Sequence, residues 1–250
     1  MPPRTRIIGT YISPYVRKVL VTLHLKGIDY ELDPIIPFFG NDTFGELSPL
    51  RRIPVLMDDR VTLADSSVIC QYLEDRYPEP ALYPADIADR AMARWYEEYA
   101  DSRMGDVLIW RLFNQVTINR FVWGEKPDKA VIEKIKEEEI PTVLDYLEKL
   151  APEQGFVFGE SLSIADISLA TSFRNASFAR YSIAPARWPR SAAYVARVLD
   201  LEAFARLRPF EEICVTRPIP EHRAALIEAG APVCAETLAS AEPRRGFFSV

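Results

Sequence analysis

The stretch RIIGTYISPYVRKVLVTLHLKGIDYEL, residues Arg6–Leu32, decides the fold of this chain. It begins with the short β-branched run Arg6–Gly9, which is typical of a buried strand, and Tyr30–Leu32 at its end predicts a second strand. Between them, apolar residues from Val16 to Leu23 recur on one helical stripe. Ser13–Pro14 supplies a favoured N-cap and first helical residue, and Gly27 suits a left-handed helix end. The stretch therefore predicts a βαβ unit with two parallel strands.

A hairpin and a helix follow this unit. The apolar runs Ile53–Met57 and Val61–Leu63 are separated by Asp58–Asp59, which predicts two antiparallel strands joined by a tight turn. A helical pattern then runs to Arg76 and is broken by the prolines of Tyr77–Pro80. The first third of the chain is therefore predicted to be βαβ followed by ββα.

The remainder of the chain is predicted to be helical. A long helix is expected over 87–122, and Pro141 is expected to kink or split the helical pattern of Asp128–Leu150. Ser163 and Asp166 are three residues apart before an apolar run, which is the spacing of a capping box. Further helices are expected to about residue 178, over 192–199 and over 201–207.

These patterns divide the chain into four parts. We expect a mixed α/β domain over 1–80, a linker over 81–88, an all-helical domain over 89–216 and a C-terminal extension over 217–250. The extension is rich in proline and contains a short predicted helix over 221–229.

Composition excludes several classes of function. The 250 residues include 36 acidic and 30 basic side chains, for a net charge of −6, and such a chain is a poor general binder of nucleic acid. Three scattered cysteines without a CxxC pair and two histidines disfavour both a disulfide framework and a metal site. No apolar run approaches the ~20 residues of a membrane span, and the first residues do not have the pattern of a secretory signal. We therefore expect a cytoplasmic protein.

Four segments occur in a characteristic order. They are TYISPYVRKV (Thr10–Val19), SPLRRIPVL (Ser48–Leu56), LADSSVICQYLEDRYP (Leu63–Pro78) and SLSIADISLA (Ser161–Ala170). Together they resemble the cytosolic glutathione transferase family, in pattern closest to its serine-type tau-like, zeta-like and bacterial members. The resemblance extends from Thr10 to about Leu207. It implies a thioredoxin-like N-terminal domain with a mixed sheet, followed by an all-α C-terminal domain.

The same resemblance implies a reaction and its partners. A glutathione transferase conjugates the thiolate of its co-substrate glutathione to a small hydrophobic electrophile, a detoxification chemistry, and the family resemblance also implies a homodimer. Glutathione-dependent ether cleavage and isomerisation remain alternatives. A further alternative is a non-catalytic binding or scaffold module that kept the fold, which the unusual Arg51 and the extension motivate.

Ser13 occupies the position of the family's catalytic serine. A thiol with a pKa near 8.5 is mostly protonated at neutral pH, whereas the thiolate is the nucleophile. A hydroxyl donor at the positive end of a helix suits the stabilisation of such a thiolate. The alternative is an ordinary Ser–Pro helix start. Tyr11 is a rival hydroxyl for the same role, and Tyr15 is a weaker one.

The resemblance also implies five glutathione-binding residues. Pro54 is expected to follow a cis peptide bond, so that the backbone of Ile53 pairs with the cysteine of glutathione. Asp65 is expected to bind the γ-glutamyl ammonium and Ser66 the γ-glutamyl carboxylate. Arg52 is expected to bind the glycine carboxylate. The plainer alternatives are an edge-strand proline, a helix cap and a solvated arginine.

Two positions depart from the family pattern. Arg51 stands where glycine is common, and Ser48 replaces the usual asparagine. The electrophile site is less determined by the sequence. The long helix is expected to present Met104, Val107, Trp110, Arg111 and Phe113 toward it, although such a stripe is also typical of a core. Phe247 and Phe248 in the extension are candidates for a lid.

Overall fold

The computed structural model describes residues 5–245, which form two compact units. The first unit contains the described residues up to Pro80 together with those from Arg206 onward, and the second is Ala81–Ala205. The beginning of the predicted linker is fixed within the second unit, because the Leu82 carbonyl accepts a 2.8 Å hydrogen bond from the Ile164 N–H.

A mixed sheet of four strands lies in the first unit. The strands are β1 (Thr5–Gly9), β2 (Tyr30–Pro34), β3 (Val55–Met57) and β4 (Thr62–Ala64), in the spatial order β2-β1-β3-β4. β2 is parallel to β1, and β3 is antiparallel to both β1 and β4. The parallel strands β1 and β2 need a helical crossover, whereas a tight turn joins the antiparallel strands β3 and β4. The predicted fold of this unit is confirmed.

The centre of the sheet is apolar. Ile7 of β1 lies opposite Leu32 of β2 on one side and Leu56 of β3 on the other. All three side chains are buried. These three residues fix β1 in the centre of the sheet, and the loop that carries Ser13 follows directly after β1.

Three helices accompany the sheet: α1 (Pro14–Leu25), α2 (Asp42–Leu47) and α3 (Ser66–Arg76). On α1 the predicted apolar stripe from Val16 to Leu23 is buried. Gly27 follows α1 with φ +64°, which is the left-handed conformation that the sequence predicts there. The crossover helix therefore begins and ends where its local signals indicate.

The second unit is helical and contains one long helix. α4 (Ile87–Tyr99) continues without a break into Ala100–Ile118 and α5 (Asn119–Trp123). The middle segment has the wider π-helical pattern, in which the Asn119 N–H bonds the carbonyl of Asn114. The long helix predicted over 87–122 is confirmed.

The second helical stretch of this unit has a wider turn just before Pro141, where the sequence predicts a kink or a split. α6 (Lys129–Lys134) leads into the π-helical segment Ile135–Glu139 and then into α7 (Ile140–Leu150). Pro141 has no N–H to donate to the preceding turn. The chain accommodates this with the wider turn, in which the Ile140 N–H bonds the carbonyl of Ile135. The helix is not split at Pro141, because α6, the π-helical segment and α7 follow one another without an interruption.

Three further helices complete the second unit. They are α8 (Ile164–Phe178), α9 (Pro189–Leu199) and the short α10 (Glu202–Ala205). The predicted capping box is present at the start of α8, where both the N–H and the hydroxyl of Ser163 donate to Asp166 Oδ2, at 2.9 and 2.7 Å. This cap is a folding element of the helical unit.

The described end of the chain belongs to the first unit. It contains α11 (Arg208–Thr216) and α12 (His222–Glu228), which lies within the helix predicted over 221–229. Residues 206–216 were expected in the helical domain, and the structure instead groups them with the sheet. Sequence periodicity identifies such a helix without showing what it packs against, and here the contact is between Tyr11 and Phe210, with ring centroids 4.9 Å apart.

Candidate active site

Ser13 is the N-cap of α1 and has a hydroxyl proton to donate. Its Oγ accepts a 3.3 Å hydrogen bond from the Val16 N–H, and its own N–H donates to the Thr10 carbonyl at 3.0 Å. A hydroxyl can accept and donate at the same time. The cap and the proposed thiolate role are therefore compatible, because the first uses a lone pair of Ser13 and the second its proton.

Tyr11, the rival hydroxyl, is turned into the protein. Its side chain is 1 % exposed and packs on Phe210. Burial, with smaller effects of nearby Tyr30 and Cys214, raises the pKa of Tyr11 far above its ordinary value. The hydroxyl makes no hydrogen bond of normal geometry within residues 5–245. Ser13 is half-buried and thus more accessible to a ligand than Tyr11. Tyr15, the weaker rival, is half-buried in the first turn of α1.

The end of β1 and the loop before β3 lie against each other. Gly9 has φ +157°, and a Cβ placed there would lie 2.4 Å from Val16 Cγ2 and 3.5 Å from Ile53 Cβ. No side chain fits at that position without displacing Val16. The glycine therefore brings the loop that carries Ser13 close to Ile53.

The Ile53–Pro54 peptide bond is cis, as the resemblance implied. Ile53 precedes β3, and its backbone N–H and C=O make no hydrogen bond to another residue of the described chain. Unpaired backbone groups beside a strand are what an extended peptide needs to pair with a sheet. Ile53 thus presents the donor and acceptor expected for the cysteine residue of glutathione.

Asp65 and Ser66 lie at the start of α3. Asp65 has φ +89° and its Oδ1 accepts from the N–H groups of Ser67 and Val68, at 3.0 and 3.1 Å. The other oxygen, Oδ2, has no hydrogen-bond partner among the described residues. The Ser66 side chain is buried, and its hydroxyl likewise has no partner there. Asp65 caps the helix and still has an oxygen for a cation.

Arg52 is exposed, and within residues 5–245 its guanidinium makes neither an ion pair nor a hydrogen bond. Its backbone is fixed by Ser48, whose hydroxyl accepts from the Arg52 N–H at 3.0 Å and donates to the Arg52 carbonyl at 2.8 Å. The sequence marked Ser48 only as a departure from the family pattern. Its role as the residue that closes this loop is found only in the structure.

Arg51 is neither solvated nor directed outward with Arg52. Its side chain is 6 % exposed, and its Nη2 donates to the carbonyls of Gly40 and Asn41. The guanidinium lies over the Phe44 ring, 5.6 Å from its centroid. Arg51, which the sequence showed only as a departure from the family pattern, is therefore a buried structural residue of the loop.

The residues predicted for the electrophile site have different surroundings within the second unit. Met104, Val107 and Phe113 are buried, and Trp110 is half-buried. Arg111 is exposed and pairs with Asp106 and Glu139. Phe247 and Phe248, the candidate lid residues, lie outside the described residues.

Two features are absent from the described part of the chain. No group of three or more histidine, cysteine, aspartate or glutamate side chains there is placed to hold a metal ion. No helix in that part is both long and apolar enough to cross a membrane.

Comparison with known protein families gives two matches along the chain. The model of the N-terminal domain of glutathione S-transferase matches residues 7–81, and that of the C-terminal domain matches residues 115–206. Maleylacetoacetate isomerase from Rattus norvegicus is 30% identical over 200 residues, which cover 77% of this chain and 86% of the relative.

Solved structures show the same architecture. A glutathione S-transferase from Rhodospirillum rubrum F11 superposes with a TM-score of 0.77 at 28% identity and covers 87% of this chain and 97% of that one. A glutathione S-transferase from Methylobacterium radiotolerans, in complex with glutathione sulfonate, has a TM-score of 0.66 at 27% identity, with 81% and 93% coverage.

Proposed function

Because this chain belongs to the glutathione transferase family, we propose that it binds glutathione and that Ser13 stabilises the glutathione thiolate for attack on a small apolar electrophile. The observation that carries the proposal is the geometry of Ser13. Its hydroxyl lies at the N-terminus of α1, accepts from the Val16 N–H and keeps its proton to donate.

The free energy that Ser13 must supply to stabilise the thiolate is small. Lowering the pKa of a thiol by ~2 units corresponds to about 2.7 kcal/mol of preference for the thiolate. A hydrogen bond to an anion and the positive end of a helix dipole together supply energy of this order. The thiolate then forms the new carbon–sulfur bond while the leaving group departs with its electron pair.

The other predicted residues bind the ends of glutathione. The backbone of Ile53, whose N–H and C=O make no hydrogen bond to another described residue, pairs with the central cysteine. Asp65 Oδ2 binds the γ-glutamyl ammonium, and the Ser66 hydroxyl with the α3 N–H groups binds the adjoining carboxylate. The unpaired guanidinium of Arg52 binds the glycine carboxylate.

Turnover of glutathione with a chromogenic aryl halide tests the role of Ser13. Ser13→Ala should lose at least about tenfold in kcat/KM, whereas Ser13→Thr, which keeps a hydroxyl, should retain most activity. Ser163→Ala is the matched control, because it removes the N-cap hydroxyl of α8 in the other unit. Activity of Ser13→Ala equal to that of wild type would show that the serine role is wrong.

Calorimetry with glutathione tests the alternative of a non-catalytic module. Our proposal predicts saturable binding at millimolar glutathione or below. Absence of binding in that range would contradict the proposed enzyme and favour a binding or scaffold module that kept the fold.

Isomerisation is a second candidate reaction, favoured by the relative named maleylacetoacetate isomerase. In this reaction the thiolate adds to a conjugated double bond to give an enolate, the single bond so created rotates, and the enolate then expels the thiolate unchanged. Conjugation consumes glutathione whereas isomerisation does not. Measuring glutathione depletion against product formation with a cis-configured unsaturated diacid therefore separates the two reactions.

We also propose that the protein acts as a homodimer in the cytoplasm. Leu50 and Val68 in the first unit and Met92 and Trp95 in the second are large apolar side chains between 41 % and 67 % exposed. Exposed apolar residues also occur singly on monomers, so the proposal rests on membership of the family, and these side chains are ones that a partner copy could cover. Sedimentation should give twice the chain mass of 28.4 kDa, and a monomer at micromolar concentration would contradict this proposal.

A further inference from the structure

The C-terminal extension covers the open edge of the sheet. We call residues 231–244 the edge strap. β2 is the outer strand of the sheet, and its Leu32 N–H donates to the Pro232 carbonyl at 2.7 Å while the Leu32 carbonyl accepts from the Cys234 N–H at 3.0 Å. An uncovered edge strand exposes unpaired backbone groups, and here the strap pairs with them.

A buried carboxylate fixes the middle of the strap. The Asp33 side chain is 0 % exposed, and its Oδ2 accepts from the Leu238 N–H at 2.7 Å. Arg223 on α12 and Arg6 on β1 lie 3.4 and 3.7 Å from its two oxygens. A buried charge is costly unless it is paired, so β2 depends on the extension for two of these partners.

The second half of the strap holds the loop between β2 and α2. The Leu238 carbonyl accepts from the Asn41 N–H at 2.9 Å, and the Phe39 carbonyl accepts from the Ser240 N–H and Oγ, at 2.5 and 2.9 Å. The Arg244 N–H donates to the Phe38 carbonyl at 2.8 Å. Residues 38–41 are thus bound along the strap by their backbone.

Arg51 connects the same loop to the candidate glutathione site. Its guanidinium donates to the carbonyls of Gly40 and Asn41, so Asn41 bonds the strap through its N–H and Arg51 through its C=O. Gly45 leaves room for this side chain, because a Cβ there would lie 2.4 Å from Arg51 Nη1. Arg51 is followed directly by Arg52, whose own backbone is held by Ser48.

We propose that the edge strap is a positioning element for glutathione binding. It fixes residues 39–41, which hold Arg51 and thereby place Arg52 and Ile53 for the glycine and cysteine parts of glutathione. The inference rests on the proposed function and extends it, because a segment outside both matched family domains then sets the affinity for the co-substrate. The strap does not act on Ser13, so it affects binding and leaves the chemical step alone.

Two backbone donors of the strap can be removed in the full-length protein. The double variant Leu238→Pro/Ser240→Pro deletes the N–H groups that bond Asp33 and Phe39. Ser182→Pro in the second unit is the matched control, since the N–H of this exposed residue makes no hydrogen bond with another described residue. We expect the double variant to raise the Kd of glutathione about tenfold by calorimetry, with kcat at saturation within about twofold of wild type. The control should match wild type in both.

The double proline variant could fail to fold, so a second variant, Arg51→Lys, tests the same inference. Arg51→Lys retains the charge, but its side chain is one atom shorter and cannot place a donor where Nη2 bonds the carbonyls of Gly40 and Asn41. It should raise the Kd of glutathione by a similar factor. When Arg51→Lys is combined with the strap variant, the loss of binding free energy should be smaller than the sum of the two separate losses, because both variants act through one loop.

Three outcomes would overturn the inference. The first is an unchanged Kd in a strap variant whose Asn41 amide exchanges faster than in wild type. The second is an unchanged Kd in Arg51→Lys. The third is a wild-type protein that does not bind glutathione at all, which also overturns the proposed function. The first two leave that function intact, so the two failures are distinguishable.

Discussion

Arg17 on α1 and Glu211 on α11 form an ion pair in which both side chains are buried, with 1 % and 2 % exposure. The Arg17 Nε donates to Glu211 Oε1. The pair joins the crossover helix, which begins at Ser13, to a helix from the far end of the chain. It accounts for the inclusion of α11 in the first unit, where sequence periodicity had assigned it to the helical domain.

Removing one partner of this pair should destabilise the protein strongly. Glu211→Ala removes the carboxylate to which the buried Arg17 Nε donates, and breaking a buried pair in this way costs about 3–5 kcal/mol. Glu212→Ala removes an exposed carboxylate of the same helix, where an ion pair is worth at most about 1 kcal/mol, so it should change the unfolding free energy by less than about 1 kcal/mol. Urea unfolding measures both, and equal effects of the two variants would show that the pair carries no special stability.

Asp166 should contribute more stability than a helix cap alone. Its two oxygens accept from the N–H and hydroxyl of Ser163, the Val157 N–H and the Tyr194 hydroxyl, all within 2.9 Å. Asp166→Ala should therefore cost about 3 kcal/mol or more, because several buried donors lose their acceptor. Asp128→Ala removes an exposed N-cap from α6 and should cost about 1 kcal/mol. Comparable losses in thermal unfolding would contradict the account of Asp166.

Tyr11→Phe should leave the reaction intact. The pKa of the Tyr11 hydroxyl is raised, chiefly by burial, so this phenol is neutral at any physiological pH. Its removal deletes a buried polar group that lacks a normal hydrogen bond, which is nearly neutral for stability. We expect kcat/KM within about twofold of wild type. A loss comparable to that of Ser13→Ala would make Tyr11 the thiolate partner.

Cys214 should make the stability depend on alkaline pH. Burial raises the pKa of this thiol from 9.0 to about 11, so the unfolded chain releases the proton at a lower pH than the folded one. Stability is therefore lost as pH rises from about 9 toward 11, by up to roughly 1.4 kcal/mol per pH unit.

The measurement is the unfolding free energy of wild type and Cys214→Ala across this range. The test is the difference between the two proteins in the slope of unfolding free energy against pH, because buried tyrosines and Cys234 also titrate in this range. A variant with the same slope as wild type would contradict the assignment to Cys214.

Local signals in the sequence were enough to place the parts of the candidate site. Ser13 and Pro14 before an apolar stripe determine a helix start, and the same is true of Asp65 and Ser66 before α3. The cis bond at Pro54 followed from the family resemblance, since no local pattern distinguishes cis from trans. These features depend on a few neighbouring residues, which is why they could be predicted.

The edge strap and the role of Arg51 could not be predicted. The strap pairs by its backbone with β2 at Leu32, and backbone pairing over so large a separation leaves no periodic pattern of side chains. An arginine is usually solvated, and the burial of Arg51 depends on carbonyls of residues 40 and 41 that only the fold brings near. Gly45, which leaves room for its guanidinium, was the one available signal.

The pKa of the glutathione thiol in the bound state tests the central claim most directly. Ultraviolet absorbance of the thiolate, titrated against pH in the complex, measures it without any electrophile. We predict that wild type lowers this pKa by about 1–2 units from that of free glutathione, that Ser13→Thr does nearly the same, and that Ser13→Ala reverses most of the shift. A bound thiol with the same pKa in wild type and Ser13→Ala would contradict the account.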